Sequence, residues 1–346
     1  MILRQNVSLK PYNSFSVEAS ARYFLDAGKE EEILDFLRTM KPEHRPLFLL
    51  GGGSNVLFVD DFPGTILKIG ILGINVVHED SRFVRVNARA GEKWDDLVEF
   101  CVSNGWGGLE NLSLIPGSVG AAPVQNIGAY GAELKNVLSG VTAVDLETLE
   151  KRIFSLQECE FGYRDSVFKS RLKDRYLILD VEFRLDKDPS VHTDYQDVRN
   201  ELRLMGIPDP TIRSVRDAVI AVRRRKLPDP AVTGNCGSFF KNPVVSLEKF
   251  RQLERDHPGI VSYPRGHDAK LAAAWMIEKC GWKGFREGDA GVHNNQALVL
   301  VNHGNAQGSG ILALAEKIRR SVSEEFGVEL ETEVNIIPSA VRRSVP

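Results

Sequence analysis

Ser238 lies within Gly234-Asn-Cys-Gly-Ser238-Phe-Phe-Lys-Asn242-Pro, a small hydroxyl flanked by glycines and a Phe-Phe pair. Glycine lets backbone approach a ligand closely, the rings keep water out, and Lys241 and Asn242 add polar contacts at once. That layout suits delivering a proton to a bound molecule. Gly-Asn and Gly-Ser also mark ordinary turns, so both readings stand for this segment alone. Two further stretches carry groups for related chemistry: Phe161-Gly-Tyr-Arg164-Asp-Ser-Val-Phe-Lys169 and Leu330-Glu-Thr-Glu333-Val334. An arginine fork matches both oxygens of a carboxylate and never loses its charge; an Arg164 paired structurally with Asp165 is the alternative. A carboxyl group desolvated among apolar neighbours can hold its proton near neutral pH and hydrogen-bond a developing negative charge. Glu331 and Glu333 would share one face of a strand with Thr332 opposite, so alternation does not decide between them.

Glycine-rich loops supply the second set of candidates. Gly51-Gly-Gly53-Ser54-Asn55 follows the apolar stretch Leu47-Phe-Leu-Leu50. Successive N–H groups in such a loop can form a nest for an anion such as a dinucleotide pyrophosphate, although the same residues also make a plain turn. The run from Ile115 to Gly131 holds Gly117, Gly120, Gly128 and Gly131 among small residues, so its backbone could lie flat against a large planar ligand. Gly308-Ser-Gly310-Ile-Leu-Ala313 fits the dinucleotide fingerprint, yet the preceding strand is expected to end near Val301, too early for the tight turn required. A helix entrance is the favoured reading there.

The elements that must carry these groups change in texture along the chain. Lys29 to Met40 reads as a helix, with strands at Leu47–Leu50 and Thr65–Ile69. Strands dominate from Arg82 to about Leu185, among them Phe83–Asn87 and Tyr176–Phe183, interrupted by a helix from Trp94 to about Asn104. A helix around Ser214 to Lys226 stops at Leu227-Pro-Asp-Pro230. Helices at Lys270–Cys280 and Ile311–Phe326, a strand at Ala297–Val301 and a last strand at Glu331–Ile337 complete the reading. The chain of 346 residues has room for two or three compact units. Its 44 Lys and Arg against 47 Asp and Glu, net charge −3, argue against a nucleic-acid partner and against a polybasic membrane anchor. The run Arg223-Arg-Arg-Lys226 is read as cations complementing a helix C-terminus, the arginines forming a solvated face. Cys101, Cys159, Cys236 and Cys280 are scattered, which suggests free thiols in a reducing cytoplasm. No histidine spacing suggests a metal site. No signal pattern and no membrane span are expected, so the protein is read as soluble and cytoplasmic.

The five motifs, in order and at matching spacing from Leu9-Lys-Pro-Tyr-Asn-Ser-Phe15 to about Ile337, resemble the UDP-N-acetylenolpyruvoylglucosamine reductases. These are flavoenzymes that complete UDP-N-acetylmuramate for bacterial cell walls; the Tyr195 segment matches their longer subtype. The resemblance implies an α+β fold: an FAD-binding region of the PCMH, or vanillyl-alcohol-oxidase-like, type over residues 17–187. Its two α+β subdomains span about 1–75 and 76–227 and are joined by the segment 329–346. An α+β substrate-binding domain follows at 228–328. It implies non-covalent FAD contacted by Gly51, Gly53, Ser54, Asn55, Pro116, Gly117, Ser118, Gly120, Ile127 and Gly128. NADPH is the implied reductant, taking turns with substrate in one cleft over the flavin. Ser238 carries over as proton donor, Arg164 as carboxylate partner and Glu333, by the pattern L-E-x-E-V, as the acid. Tyr130, Tyr195, Lys226, Asn242, Tyr263 and Gln296 match positions that contact a nucleotide-sugar substrate. A monomer is expected. Two departures from the family pattern stand out: Cys236 replaces a small inert residue, and Val334-Asn-Ile-Ile-Pro338 replaces a Val-Arg-x-Ile-Gly ending. The alternatives are another flavoprotein of the same fold that oxidises an alcohol or sugar, and a flavin- or nucleotide-binding regulator without turnover.

Overall fold

A computed structural model describes residues 2–338, and residues 339–346 of the expected closing segment lie outside the described residues. The chain divides into two compact units: residues 2–7, 21–52 and 63–225 form the first, and residues 8–20, 53–62 and 226–338 the second.

Among the described residues, two large sheets and the short pair Gly128–Ala129 with Ala132–Glu133 build the first unit. Strands Arg4–Ser8, Ser20–Ala27, Phe62–Ile69 and Leu47–Leu50 lie side by side in that order, the last two parallel with Leu47 opposite Thr65. The other sheet is antiparallel, in the order Lys151–Ser155, Leu138–Asp145, Tyr176–Asp186, Phe83–Arg89 and Ile74–Glu79. Its long central strand is buried on both faces, and a bulge explains how. Thr142 pairs with Asp180 while Ala143 pairs with Ile178, so Leu179 is the extra residue. A bulge shifts the two-residue alternation by one. Leu177 and Leu179 therefore join Ile33 and Phe36 of the helix Glu30–Thr39, whereas Val181, Phe183 and Leu185 join Trp94, Leu97 and Cys101 of the helix Trp94–Ser103.

The helix Ile212–Lys226 is tied to Trp94–Ser103 by ions rather than by apolar contact alone. Buried Arg216 donates to Asp95 at 2.7 and 3.1 Å and to Glu99 at 2.6 Å. Arg213, Ser103 and Arg216 hold the Glu99 carboxyl down at about 2. For Asp95, burial pushes the carboxyl up, but the bonds from Arg216 and the Leu114 N–H outweigh it. Both carboxylates therefore stay charged opposite the guanidinium, as a buried arginine requires.

The second unit contains two three-stranded sheets and a short parallel pair. One sheet runs Val244–Ser246, Asp268–Leu271, Ser262–Arg265, and the other Arg286–Glu287, Ala290–Val292, Leu300–Asn302. Val56–Phe58 pairs with Asn335–Ile337, and the helices are Leu247–Asp256, Ala273–Lys279 and Gly308–Phe326. Three expectations need correction. The strand expected at Ala297–Val301 is Leu300–Asn302, because Ala297 and Leu298 lie in a turn closed by the Val299 N–H on the Gln296 carbonyl at 3.0 Å. Lys270 lies in a strand, paired with both Val244 and Tyr263, and the helix starts only at Ala273. The start is set from a distance, because the Asn242 side-chain oxygen accepts from the Ala273 N–H at 3.0 Å. The last strand covers Asn335–Ile337 rather than beginning at Glu331. Gly308 does open a helix, with five residues between it and the strand ending at Asn302. A Cβ there would lie 1.8 Å from the Phe58 carbonyl oxygen, so close packing demands glycine. Among the described residues no helix is long and apolar enough to cross a membrane.

Candidate active site

In the first unit the glycine loops pack backbone against backbone. A Cβ on Gly51 would sit 2.4 Å from Ser118 Oγ, one on Gly52 would sit 2.9 Å from Gly117 Cα, and one on Gly120 would sit 2.5 Å from the Ala90 Cβ. Gly117 adopts φ +128°, open to glycine but strained for other residues. The approach is held by Trp94 N–H to the Gly117 carbonyl at 3.0 Å and Gly120 N–H to the Ala90 carbonyl at 2.9 Å. Asp95 accepts from the N–H of Leu114, itself at φ +57°, and so fixes the start of the loop. Within this cradle the Ser118 hydroxyl is buried with no hydrogen-bond partner among the described residues. Leaving such a group unsatisfied costs about 1–3 kcal/mol, which a polar ligand atom would recover. Glycines where a Cβ would clash and an unsatisfied hydroxyl together fit a large, flat, polar-edged cofactor. Pro116 is exposed; Ile127 is half-buried, its N–H bonded to the Ala122 carbonyl at 3.2 Å.

Arg164 also belongs to the first unit and has φ +56°, a conformation few side chains adopt. Its guanidinium donates to the Gly128 carbonyl at 2.6 Å and lies 5.6 Å from the Tyr163 ring centre. Asp165 meanwhile accepts from the Ser166 N–H at 2.9 Å. Strained backbone kept in place by its surroundings is common at functional positions. Tyr130, at φ +47°, meets Tyr195 edge-on at 5.3 Å. Tyr195 is exposed.

Arg223 corrects the expectation of a solvated arginine face. Only Arg224 and Arg225 are exposed, while Arg223 is half-buried and its Nε has no partner among the described residues. Burial pushes its guanidinium below the ordinary value, opposed by its hydrogen bond to the Tyr130 hydroxyl. Its position, seven residues after Arg216 and four after Val219, places it on the buried stripe of the helix. That spacing was the available signal.

In the second unit the Ser238 and Glu333 segments run side by side. Lys241 N–H bonds the Glu331 carbonyl at 2.8 Å, Glu333 N–H bonds the Phe239 carbonyl at 2.8 Å, and Phe240 bridges Thr332. Burial and side-chain partners separate the two glutamates that alternation could not. Glu331 is exposed and its carboxylate takes Lys241 Nζ at 2.8 Å, whereas Glu333 is half-buried. The Ser238 loop is knotted by buried Asn235, which accepts from the Gly237 N–H at 3.0 Å and donates to the Thr233 and Pro228 carbonyls. Gly237 takes φ +72°, and a Cβ on Gly234 would lie 2.2 Å from the Phe15 carbonyl oxygen. Phe239 and Phe240 are both buried, 5.2 Å apart edge-to-face. Cys236 is buried as well, and burial raises its thiol well above the ordinary range, so it stays a neutral thiol.

The remaining candidates in this unit are spread over several elements. Gly53 (φ +66°) would clash with the Tyr12 carbonyl if it carried a Cβ, and half-buried Ser54 and Asn55 follow it. Lys226 ends its helix half-buried. Exposed Tyr263 stacks beneath Lys270 Nζ at 5.4 Å, and the Gln296 side chain accepts from the Leu298 N–H at 3.3 Å. No group of three or more His, Cys, Asp or Glu among the described residues is placed to hold a metal ion.

Residues 21–148 match the family model of an FAD binding domain, and residues 229–337 match that of the UDP-N-acetylenolpyruvoylglucosamine reductase C-terminal domain. The reductase of Pseudomonas syringae pv. tomato is 50% identical over 331 residues, which covers 95% of this chain and 97% of that protein. The chain belongs to the UDP-N-acetylenolpyruvoylglucosamine reductase family. The Flavobacterium johnsoniae reductase is 45% identical over 97% of the chain and all of that protein. The crystal structure of the reductase from Thermus caldophilus superposes over 97% of the chain and all of that protein, with TM-score 0.69 at 23% identity, and so shares the fold. As a member of this reductase family the chain combines an FAD-binding region with the family's own C-terminal domain in an α+β fold.

Proposed function

We propose that this protein reduces the enolpyruvyl ether of UDP-N-acetylglucosamine to UDP-N-acetylmuramate, with NADPH as reductant and non-covalently held FAD as cofactor. The observation that carries the reading is the match to named reductases over 95% of the chain. Gly51, Gly53, Ser54, Asn55, Pro116, Gly117, Ser118, Gly120, Ile127 and Gly128 would hold FAD. When bound, FAD supplies hydride-transfer chemistry.

The rest falls to side chains. An enol ether conjugated to a carboxylate accepts hydride at its terminal carbon, and negative charge builds on the neighbouring carbon and in the carboxylate. Catalysis has to stabilise that charge and protonate the carbon. Arg164 neutralises the carboxylate through its planar fork. Glu333, protonated, donates a hydrogen bond to the same developing charge. Ser238 gives its proton to the carbon. Serine is a weak acid, so the transfer needs the strongly basic acceptor that a carbanion provides, and the neighbouring Phe239 and Phe240 keep its surroundings apolar. Tyr130, Tyr195, Lys226, Asn242, Tyr263 and Gln296 bind the rest of the nucleotide sugar, with the Lys226 ammonium on the diphosphate. We read residues 17–187 as the FAD-binding region, with its two subdomains, and 228–328 as the substrate-binding domain of a monomeric cytoplasmic enzyme.

An anaerobic titration tests this. The purified protein should be yellow, lose its band near roughly 450 nm with NADPH, and regain it on adding the enolpyruvyl nucleotide. A flavin reduced instead by an alcohol or sugar, or a protein that reconstitutes no flavin, would overturn the assignment.

A further inference from the structure

We propose that Asn335 is a positioning residue for Glu333, acting through Asn55; the proposal rests on the reductase reading above. Each backbone polar group of Glu333 is bonded. Its N–H donates to the Phe239 carbonyl, next to Ser238, at 2.8 Å, and its carbonyl accepts from the Asn55 side-chain amide at 3.2 Å. The Asn55 peptide is anchored in turn, because its carbonyl accepts from both the backbone N–H of Asn335 at 3.1 Å and the Asn335 side-chain amide at 3.0 Å. Asn335 opens the strand that runs parallel to Val56–Phe58, so the second amide reaches across one rung of the ladder. All four residues lie in the second unit.

The consequence is geometric. With the peptides on both sides of its Cα held, one through the Glu333 N–H and the other through the Glu333 carbonyl, the residue has little backbone freedom, and the carboxyl moves mainly through its own side-chain torsions. Asn55 stands directly after Ser54 in the stretch that would hold the cofactor, so the same residue serves the glycine loop and the acid. Asn335 occupies the position where the family pattern has arginine, and its short neutral amide folds back onto the facing carbonyl. Loss of the side chain removes one of two bonds to Asn55 while the strand N–H keeps the ladder. The fold survives and only the precision of placement suffers.

The test uses the FAD-loaded full-length enzyme and separates the half-reactions by anaerobic stopped-flow absorbance. Asn335→Ala should slow substrate-driven flavin reoxidation by about ten-fold, since small misplacements of a catalytic group cost one to two orders of magnitude. Asn335→Asp, which sets a carboxylate against a carbonyl, should lose at least as much, and Asn335→Gln, which restores the amide, should recover most of the rate. Melting temperature should stay at the wild-type value, and reduction by NADPH and FAD content should change far less than reoxidation, because the Asn335 N–H still holds the Asn55 carbonyl. Unchanged reoxidation in Asn335→Ala, or an equal fall of both half-reactions with the melting temperature, overturns the clamp and leaves the reductase reading intact. Wild-type protein that never reoxidises with the enolpyruvyl nucleotide overturns both.

Discussion

Ser238 illustrates how much a single residue depends on what surrounds it. The hydroxyl is ordinary; the loop that presents it is not, with Gly234 and Gly237 in positions other residues strain to occupy and Asn235 bonded at three points. Replacing the hydroxyl alone should leave that loop standing. Ser238→Ala is expected to take hydride from NADPH normally and to lose reduction of the enol ether by about 10²–10⁴-fold, the span that general acid catalysis covers. Equal loss in both half-reactions, read from the same flavin band, would refute the assigned role. Glu331 and Glu333 make a complementary point. The expected alternation treats them alike, and the pairing to residues 239–241 keeps it; what differs is the surroundings, which leave Glu331 exposed on Lys241 and Glu333 half-buried.

At the scale of elements, two loops meet through glycine. Gly52 and Gly117 touch with no room for a side chain, and the Ser118 hydroxyl beside them is buried with no hydrogen-bond partner among the described residues. Adding one methyl at Gly52 must push the two loops apart, at about 1–3 kcal/mol of overpacking. Gly52→Ala should therefore purify with reduced FAD content and a melting temperature lower by several degrees. Full retention of yellow colour at wild-type stability would show that the loops do not form the cradle. Helices and strands with a clear period, such as Glu30–Thr39, Trp94–Ser103 and Tyr176–Asp186, follow the sequence pattern within a few residues. Lys270 does not. Its apolar neighbours suit a helix, but strand pairing on both sides and a helix cap from Asn242 decide otherwise. Those partners are distant in sequence, so no local window contains them.

For the whole molecule the decisive feature is that the second unit draws on three separated stretches of chain. Leu9, Phe15, Leu57 and Phe58 are fully buried, and they come from the two short N-terminal excursions. Exposing four such side chains costs on the order of 10 kcal/mol, comparable with the entire stability of a domain. A fragment of residues 1–225 should consequently aggregate or fail to unfold cooperatively, whereas a soluble fragment with one sharp thermal transition would contradict this. Chain order carried the motifs, the family and the chemistry open to them, because residue types and spacing are local facts that survive without coordinates. It also placed most regular elements, whose periods repeat within a few turns. What required the tertiary structure were the choices made by partners far away in sequence: burial of Arg223 under Tyr130, the bulge at Leu179, the knot joining Asn55, Glu333 and Asn335. Each is a hydrogen bond or packing contact across many residues, and such contacts exist only once the chain has closed on itself.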